Sequence, residues 1–202
     1  MDKQKLIEEY RERNARWTDR TLSQLSYYNN LLLSLGIGFL AFAYKMARLE
    51  NISFSYKDID WSLTMYVISL IMTTLSVLLG FIIALNRLYD FRITRQVNQV
   101  RQITWEHSNT KLDDKTPKEF SWWKRTILIF KCLLENYPKI TRERCKQLKE
   151  KDEEEKRKFN EEFILLRKYS HNLGIATWSE TKIQTALFGL AIVFFVISEL
   201  SK

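Results

Sequence analysis

Acid–base chemistry has few candidates here, because the 202 residues include only two histidines, His107 and His171. Arg101 and His107 stand in an Arg-x5-His arrangement, joining a fixed cation to the side chain that changes charge near neutral pH. Six positions along a continuous helix turn two side chains about 240° apart. That pair therefore converges only across a helix break or with a second chain. Five glycines, none of them in a strand-to-helix setting, exclude a phosphate-cradling loop. No Gly-x-Ser-x-Gly elbow is present. Cys132 and Cys145 lack CxxC spacing, and a reducing cytoplasm keeps them as thiols. The expectation is a non-enzymatic chain with no catalytic site, no metal site and no cofactor.

What must hold any functional residue in place is lipid-soluble helix. Between Asp60 and Arg87 no residue is charged, and the run Trp61–Asn86 is long enough to cross the roughly 30 Å hydrocarbon core as a helix. Thr21–Tyr44 and Ile183–Ser198 are also free of charge. A mean hydropathy of -0.28 hides these runs because a dense polar middle offsets them. Residues 86–180 carry 21 Lys/Arg against 15 Asp/Glu, so most of the net +8 lies there. Basic residues beside spans mark the cytoplasmic side and attract anionic head groups. The same cations can also meet nucleic acid through phosphates, so a nucleic-acid partner stays open.

The positive-inside bias sets the expected topology. Arg11, Arg13, Arg16 and Arg20 precede the first span, and Arg87, Arg92 and Arg95 follow the second, whereas the 45–61 connector is neutral. The reading is a single all-α membrane domain with two to three transmembrane helices. It comprises a cytoplasmic N-terminal helix over 1–25, spans over 26–45 and 61–86, and an outer loop over 46–60. A long cytoplasmic helical hairpin over 87–178 and a third span over 179–199 complete it. Ala41-Phe42-Ala43 resembles a signal-peptidase site, but five acidic residues precede it and further spans follow, so an uncleaved helix is preferred. The sequon Asn51-Ile52-Ser53 sits in the short connector and reads as chance.

Small residues offer packing surfaces, since helices in lipid associate by close backbone approach. Ser76, Gly80 and Ala84 recur every fourth position, with shorter versions at Ser34 and Gly38 and at Thr185 and Gly189. These stripes join helices either within one chain or between chains. Asn29 and Asn30 are costly in hydrocarbon unless paired, so they are expected at a neighbouring helix, at the interface or along a pore.

In the middle segment Tyr89, Ile93, Val97, Val100 and Thr104 recur at helical spacing and need a partner helix. Asp113 and Asp114 mark a loop. Thr116-Pro117-Lys118-Glu119 carries a cap, a first-turn proline and an acid three residues on, which predicts a helix start. The helix beyond it bears Phe120, Trp122, Trp123, Ile127, Phe130 and Leu134 with Lys124, Arg125 and Lys131. It either lies on a membrane surface, with Trp122, Trp123, Lys124 and Arg125 interfacial, or forms a core helix. Tyr137-Pro138 should end or bend it. From Ile140 to Leu173 the pattern is helical again, with an apolar face of Phe159, Phe163 and Leu166, while the charge run after Leu148, with opposite charges at four-residue spacing such as Glu153/Arg157 and Glu154/Lys158, is either a solvated helix stretch or a hairpin tip. Gly174 is expected to stop this helix, and Thr177-Trp178-Ser179-Glu180 to cap the third span.

The stretch RWTDRTLSQLSYYNNLLLSLGIGFLAF, a second span, and ALNRLYDFRITRQVNQVR together resemble small bacterial membrane proteins of the SLATT type. The likeness covers about the first half of the chain; the third apolar segment departs from the two-span pattern. It implies an effector of anti-phage, nucleotide-signalling immunity that assembles in the inner membrane as a homo-oligomer and damages the bilayer, with a pore as one route. A second expectation is a non-enzymatic anchor that holds a cytoplasmic protein partner, such as an RNA-guided complex, through residues 86–172. A third follows from Arg101 and His107, whose spacing resembles the signature of helical ribonucleases of the HEPN group.

Overall fold

The computed structural model describes residues 3–46, 60–108, 112 and 117–201, with the side chains of the first helix given at Asp19 and from Ser23 to Lys45. Among these residues every regular element is helical. The order is α1 (Lys3–Met46), α2 (Trp61–Ser108), α3 (Trp122–Leu133), α4 (Arg142–Gln147), a single 3-10 turn over Leu148–Glu150, and α5 (Glu153–Leu200). Segments of α1, α2 and α5 are long and apolar enough to cross a membrane. At 48 residues each, α2 and α5 extend about 72 Å, more than twice the hydrocarbon thickness, so each continues well beyond its apolar stretch. The chain is an all-α membrane protein.

It divides into two compact units, Met1–Phe81 with Thr181–Lys202, and Ile82–Glu180. In the first, Leu25, Asn29, Leu32, Gly36 and Ala43 form the inward face of α1, and Ser69, Thr73, Ser76 and Gly80 that of α2. Gln184, Phe188, Ala191 and Ser198 form that of α5. The outer surfaces carry Leu35, Ile37, Ile71, Leu78, Leu190 and Val193. Polar side chains among the inward-facing residues and large aliphatic ones outside suit a bundle whose solvent is lipid. Phe195 closes one end, its ring edge-on to Phe39 at 5.0 Å between centroids.

The second unit has a water-type core. Tyr89, Ile93, Val97 and Val100 of α2 pack with Leu128, Ile129 and Cys132 of α3 and with Phe159, Phe163 and Leu166 of α5. The periodic stripe on α2 thus finds its partners, and Thr104 at its end is fully buried. Lys158 pairs with Glu154 at 2.8 Å as the spacing predicts, whereas Arg157 faces Glu161 at 3.9 Å and Glu153 takes Lys156 at 2.9 Å.

Three expected boundaries differ. Pro117–Ser121 is non-helical and α3 starts at Trp122 with Ser121 as its cap, so the Pro117-Lys118-Glu119 signal opens no helix. Here Asn172 of α5 overrides local preference: its Oδ1 accepts from the Phe120 N–H at 2.6 Å and its Nδ2 donates to the Lys118 carbonyl at 3.3 Å, holding that segment out of the helix. Gly174 does not stop α5, and Thr177 caps nothing; its hydroxyl donates to the Leu173 carbonyl within one continuous helix. Glycine in a helix costs only about 1 kcal/mol, which the buried neighbours Leu173 and Ala176 outweigh. The Ile140–Leu173 stretch is broken within its charge run, as the hairpin-tip alternative allows and a continuous helix does not: α4 and the 3-10 turn end at Glu150, and α5 begins at Glu153 behind Asp152, whose Oδ1 accepts from the Glu155 N–H at 2.7 Å. Most of the 46–60 loop with its sequon, the Asp113-Asp114 loop and Thr116 lie outside the described residues.

Candidate functional site

The most organised chemistry lies inside the first unit. Ser62, Ser69 and Ser76 lie seven residues apart on α2 and face α5. Ser62 Oγ donates to the Ser198 carbonyl at 2.8 Å, Ser69 Oγ to the Ala191 carbonyl at 2.8 Å and Ser76 Oγ to the Gln184 carbonyl at 3.1 Å. The acceptors also recur every seven residues, in the opposite direction. This antiparallel serine ladder brings two backbones together with a hydroxyl at each crossing, as helix packing in lipid favours. Thr73 Oγ1 donates to the Ser69 carbonyl at 2.9 Å, so these four hydroxyls have acceptors without water, whereas the buried Ser198 hydroxyl has none.

One helical turn from Ser76 the third helix joins. Asn29 of α1 is 2 % exposed and its Nδ2 donates to the Gly80 carbonyl at 3.3 Å. Gly80 has no room for a side chain: a methyl there would stand 2.5 Å from Leu33 Cδ2 and 2.6 Å from Gln184 Nε2. Gln184 is fully buried, and neither of its amide atoms has a hydrogen-bond partner. Gly36 makes the matching approach from α1, where a methyl would stand 2.7 Å from Val77 Cγ2.

The proposed packing residues therefore separate. Ser76 and Gly80 face inward, together with Asn29. Ser34, Gly38, Ala84, Thr185 and Gly189 are exposed, and a methyl added at Gly38 or Gly189 would meet nothing within 4 Å. Asn30 is exposed as well, so the adjacent asparagines, about 100° apart on α1, divide between its inward and outward sides. That outward face is distinctive: Ser26, Asn30, Ser34, Gly38 and Ala41 follow one another at three- to four-residue intervals, all exposed. Thr185 is partnered at the surface, its Oγ1 3.0 Å from the Tyr28 hydroxyl.

In the second unit Arg101 and His107 do not meet. They lie on one unbroken stretch of α2; the Arg101 guanidinium sits 5.8 Å from the Phe163 ring centre, while exposed His107 places Nδ1 3.1 Å from the Ile103 carbonyl. No group of three or more metal-ligating side chains occurs among the described residues. Cys132 and Cys145 are buried free thiols, and burial pushes Cys132 up to about 11 and Cys145 above the usual thiol range. Both are therefore poor nucleophiles. Asn86 Nδ2 donates to Glu180 Oε2 at 2.6 Å, with both side chains buried. Asp90 Oδ1 accepts from Ser170 Oγ at 2.8 Å and Thr94 Oγ1 at 3.2 Å. An open groove of about 390 Å³ is lined by Asn136, Tyr137, Lys139, Arg144, Glu162 and Tyr169. Within its lining Arg144 and Glu162 form a two-pronged pair at 2.8 and 3.3 Å, which raises the Arg144 pKa.

The interfacial candidates Trp122, Trp123 and Lys124 are exposed, whereas Arg125 is half-buried with a guanidinium nitrogen 3.8 Å from Glu119. Sequence reasoning missed the Ser62–Ser69–Ser76 ladder, Gln184 and Gly36. The signal for the ladder was present as Ser-x6-Ser-x6-Ser within the second span; a search at four-residue spacing passes over it. Comparison with family models, curated proteins and solved structures returns no match to this chain.

Proposed function

We propose that this chain is an oligomeric bacterial inner-membrane effector of anti-phage defence that acts by permeabilising the bilayer, with its N-terminus in the cytoplasm and no catalytic step. The observation that carries this is the outward face of α1. Ser26, Asn30, Ser34, Gly38 and Ala41 are exposed on a helix apolar enough to span, beside an exterior of large aliphatic and aromatic side chains. An asparagine facing acyl chains is costly, and a run of small residues invites close approach of another helix. Copies joined through this face would cover Asn30 or turn it to a water-filled lumen. The serine ladder supports the same reading, because a protomer already tied together internally can associate as a unit.

Membrane potential in expressing cells, and dye release from liposomes holding the purified protein, test this. Release should occur with the parent protein and fall at least tenfold for Asn30→Leu or Gly38→Leu, with helical content unchanged. An unaltered potential and no release under activating conditions refute permeabilisation.

One observation favours a second reading, that of an anchor for a cytoplasmic partner. The groove around Arg144 and Glu162 offers mixed charge and two tyrosines on the compact 82–180 unit. Partner copurification that survives Asn30→Leu but not Arg144→Glu would select the anchor over the pore.

A further inference from the structure

We propose that the outward face of α3 is a docking surface for an anionic phospholipid headgroup layer. The inference needs only that the chain resides in a membrane, and stands whether or not the protein permeabilises it. α3 is apolar on both sides. Leu128, Ile129 and Cys132 are 2 %, 1 % and 0 % exposed and fill the core of their unit. On the other side Trp123, Ile127, Phe130 and Leu134 follow at i, i+4, i+7 and i+11, and they are 70 %, 51 %, 54 % and 82 % exposed. In water such a stripe, one aromatic and aliphatic residue per turn, marks a surface that something covers.

Charge says what covers it. The twelve residues of α3 contain Lys124, Arg125 and Lys131 and no acid. At about 100° per residue, Lys124 and Lys131 project roughly 40–60° to one side of Ile127, along the edge of the apolar stripe. Both are exposed, so each can lay its methylenes on the apolar surface and reach a phosphate with its ammonium. Trp122 and Trp123, packed edge-on at 4.6 Å, stand at the start of the helix with indole N–H donors, the side chain that favours the headgroup depth. A second copy of the chain is disfavoured as occupant because the like charges of Lys124 and Lys131 would approach their own counterparts. An anionic bilayer offers opposite charge, and a chain with membrane-spanning helices resides in a bilayer.

The test is site-directed spin labelling of the full-length protein in nanodiscs. Cys132 and Cys145 are buried, so Ile127→Cys can be labelled against a parent that takes up no label under native conditions. In phosphatidylglycerol-containing discs the label at 127 should be several-fold more accessible to oxygen than to a water-soluble nickel chelate, with the reverse at an exposed α2 control, Gln102→Cys. Lys124→Glu with Lys131→Glu, or discs of phosphatidylcholine alone, should shift label 127 toward nickel at least threefold. Circular dichroism confirms that each variant is folded. A nickel-accessible label in the anionic disc overturns the proposal, as does dipolar broadening that places a second label 127 nearby. Loss of dye release with label 127 still lipid-exposed would sink the pore reading and leave this one standing.

Discussion

Gly80→Ala reports on whether three helices meet where the structure places them. The added methyl would lie 2.5 Å from Leu33 Cδ2, 2.9 Å from Leu33 Cγ and 2.6 Å from Gln184 Nε2, each about 1 Å inside normal contact. Two helices would press on it at once, and the Asn29 hydrogen bond to the Gly80 carbonyl would lengthen as α1 moves away. Alanine improves helix propensity by about 1 kcal/mol, whereas overpacking costs roughly 1–3 kcal/mol and an interhelical hydrogen bond in lipid about 0.6. The balance is a loss of roughly 1–2 kcal/mol, or a fall of about 2–8 °C in melting temperature for a chain of this size. Gly36→Ala should behave likewise, since Val77 Cγ2 stands 2.7 Å away on a β-branched side chain that rotates little in a helix. Gly38→Ala and Gly189→Ala meet nothing within 4 Å and should be neutral or stabilise by up to about 1 kcal/mol. Thermal unfolding of the four variants in one detergent, followed by circular dichroism, reads the contrast directly. If the inward and outward pairs shift alike, the interior described above is wrong.

Other perturbations separate the remaining claims. Replacing Ser62, Ser69 and Ser76 together by alanine removes three interhelical bonds and should cost about 2 kcal/mol in SDS-driven unfolding; no change would mean the ladder adds nothing. Phe163, fully buried in the second unit, should lose roughly 3–5 kcal/mol on substitution by alanine, measured by denaturant unfolding. Cys132 and Cys145 should resist maleimide at pH 8 until SDS is added. Because the folded Cys132 titrates near 11, above its ordinary 9.0, the contribution of this thiol to stability, read as the difference from Cys132→Ala, should be constant below pH 9 and fall as pH rises toward 11, and a rise would reverse the assigned burial. His107→Ala should leave every activity of the protein intact, and loss of RNA cleavage in that variant alone would revive the nuclease reading.

Much of this architecture is legible in the residues themselves. Charge-free runs of spanning length force helices, because hydrocarbon leaves backbone polar groups no other partner. The Tyr89–Thr104 periodicity and the Phe159–Leu166 face announced a buried seam, since a 3.6-residue repeat aligns such side chains on one side. Punctuation was less informative. Pro117 and Gly174 carry strong local preferences worth about 1 kcal/mol or a little more, and the buried Asn172 clamp and the packing around Leu173 exceed them.

What the chain could not announce is which side of each span faces inward. In a water-soluble helix, polarity separates inside from outside; in lipid both faces are apolar and only small residues and isolated hydroxyls differ. Asn29 and Asn30 are equal by composition, and about 100° of rotation sends one to the Gly80 carbonyl and the other to the exterior. Gly36 and Gly38 divide in the same way. The sequence by itself determined that the chain holds helices long and apolar enough to cross a membrane. Only the tertiary structure decided which hydroxyl meets which carbonyl, because that choice depends on the rotation and register of three helices at once.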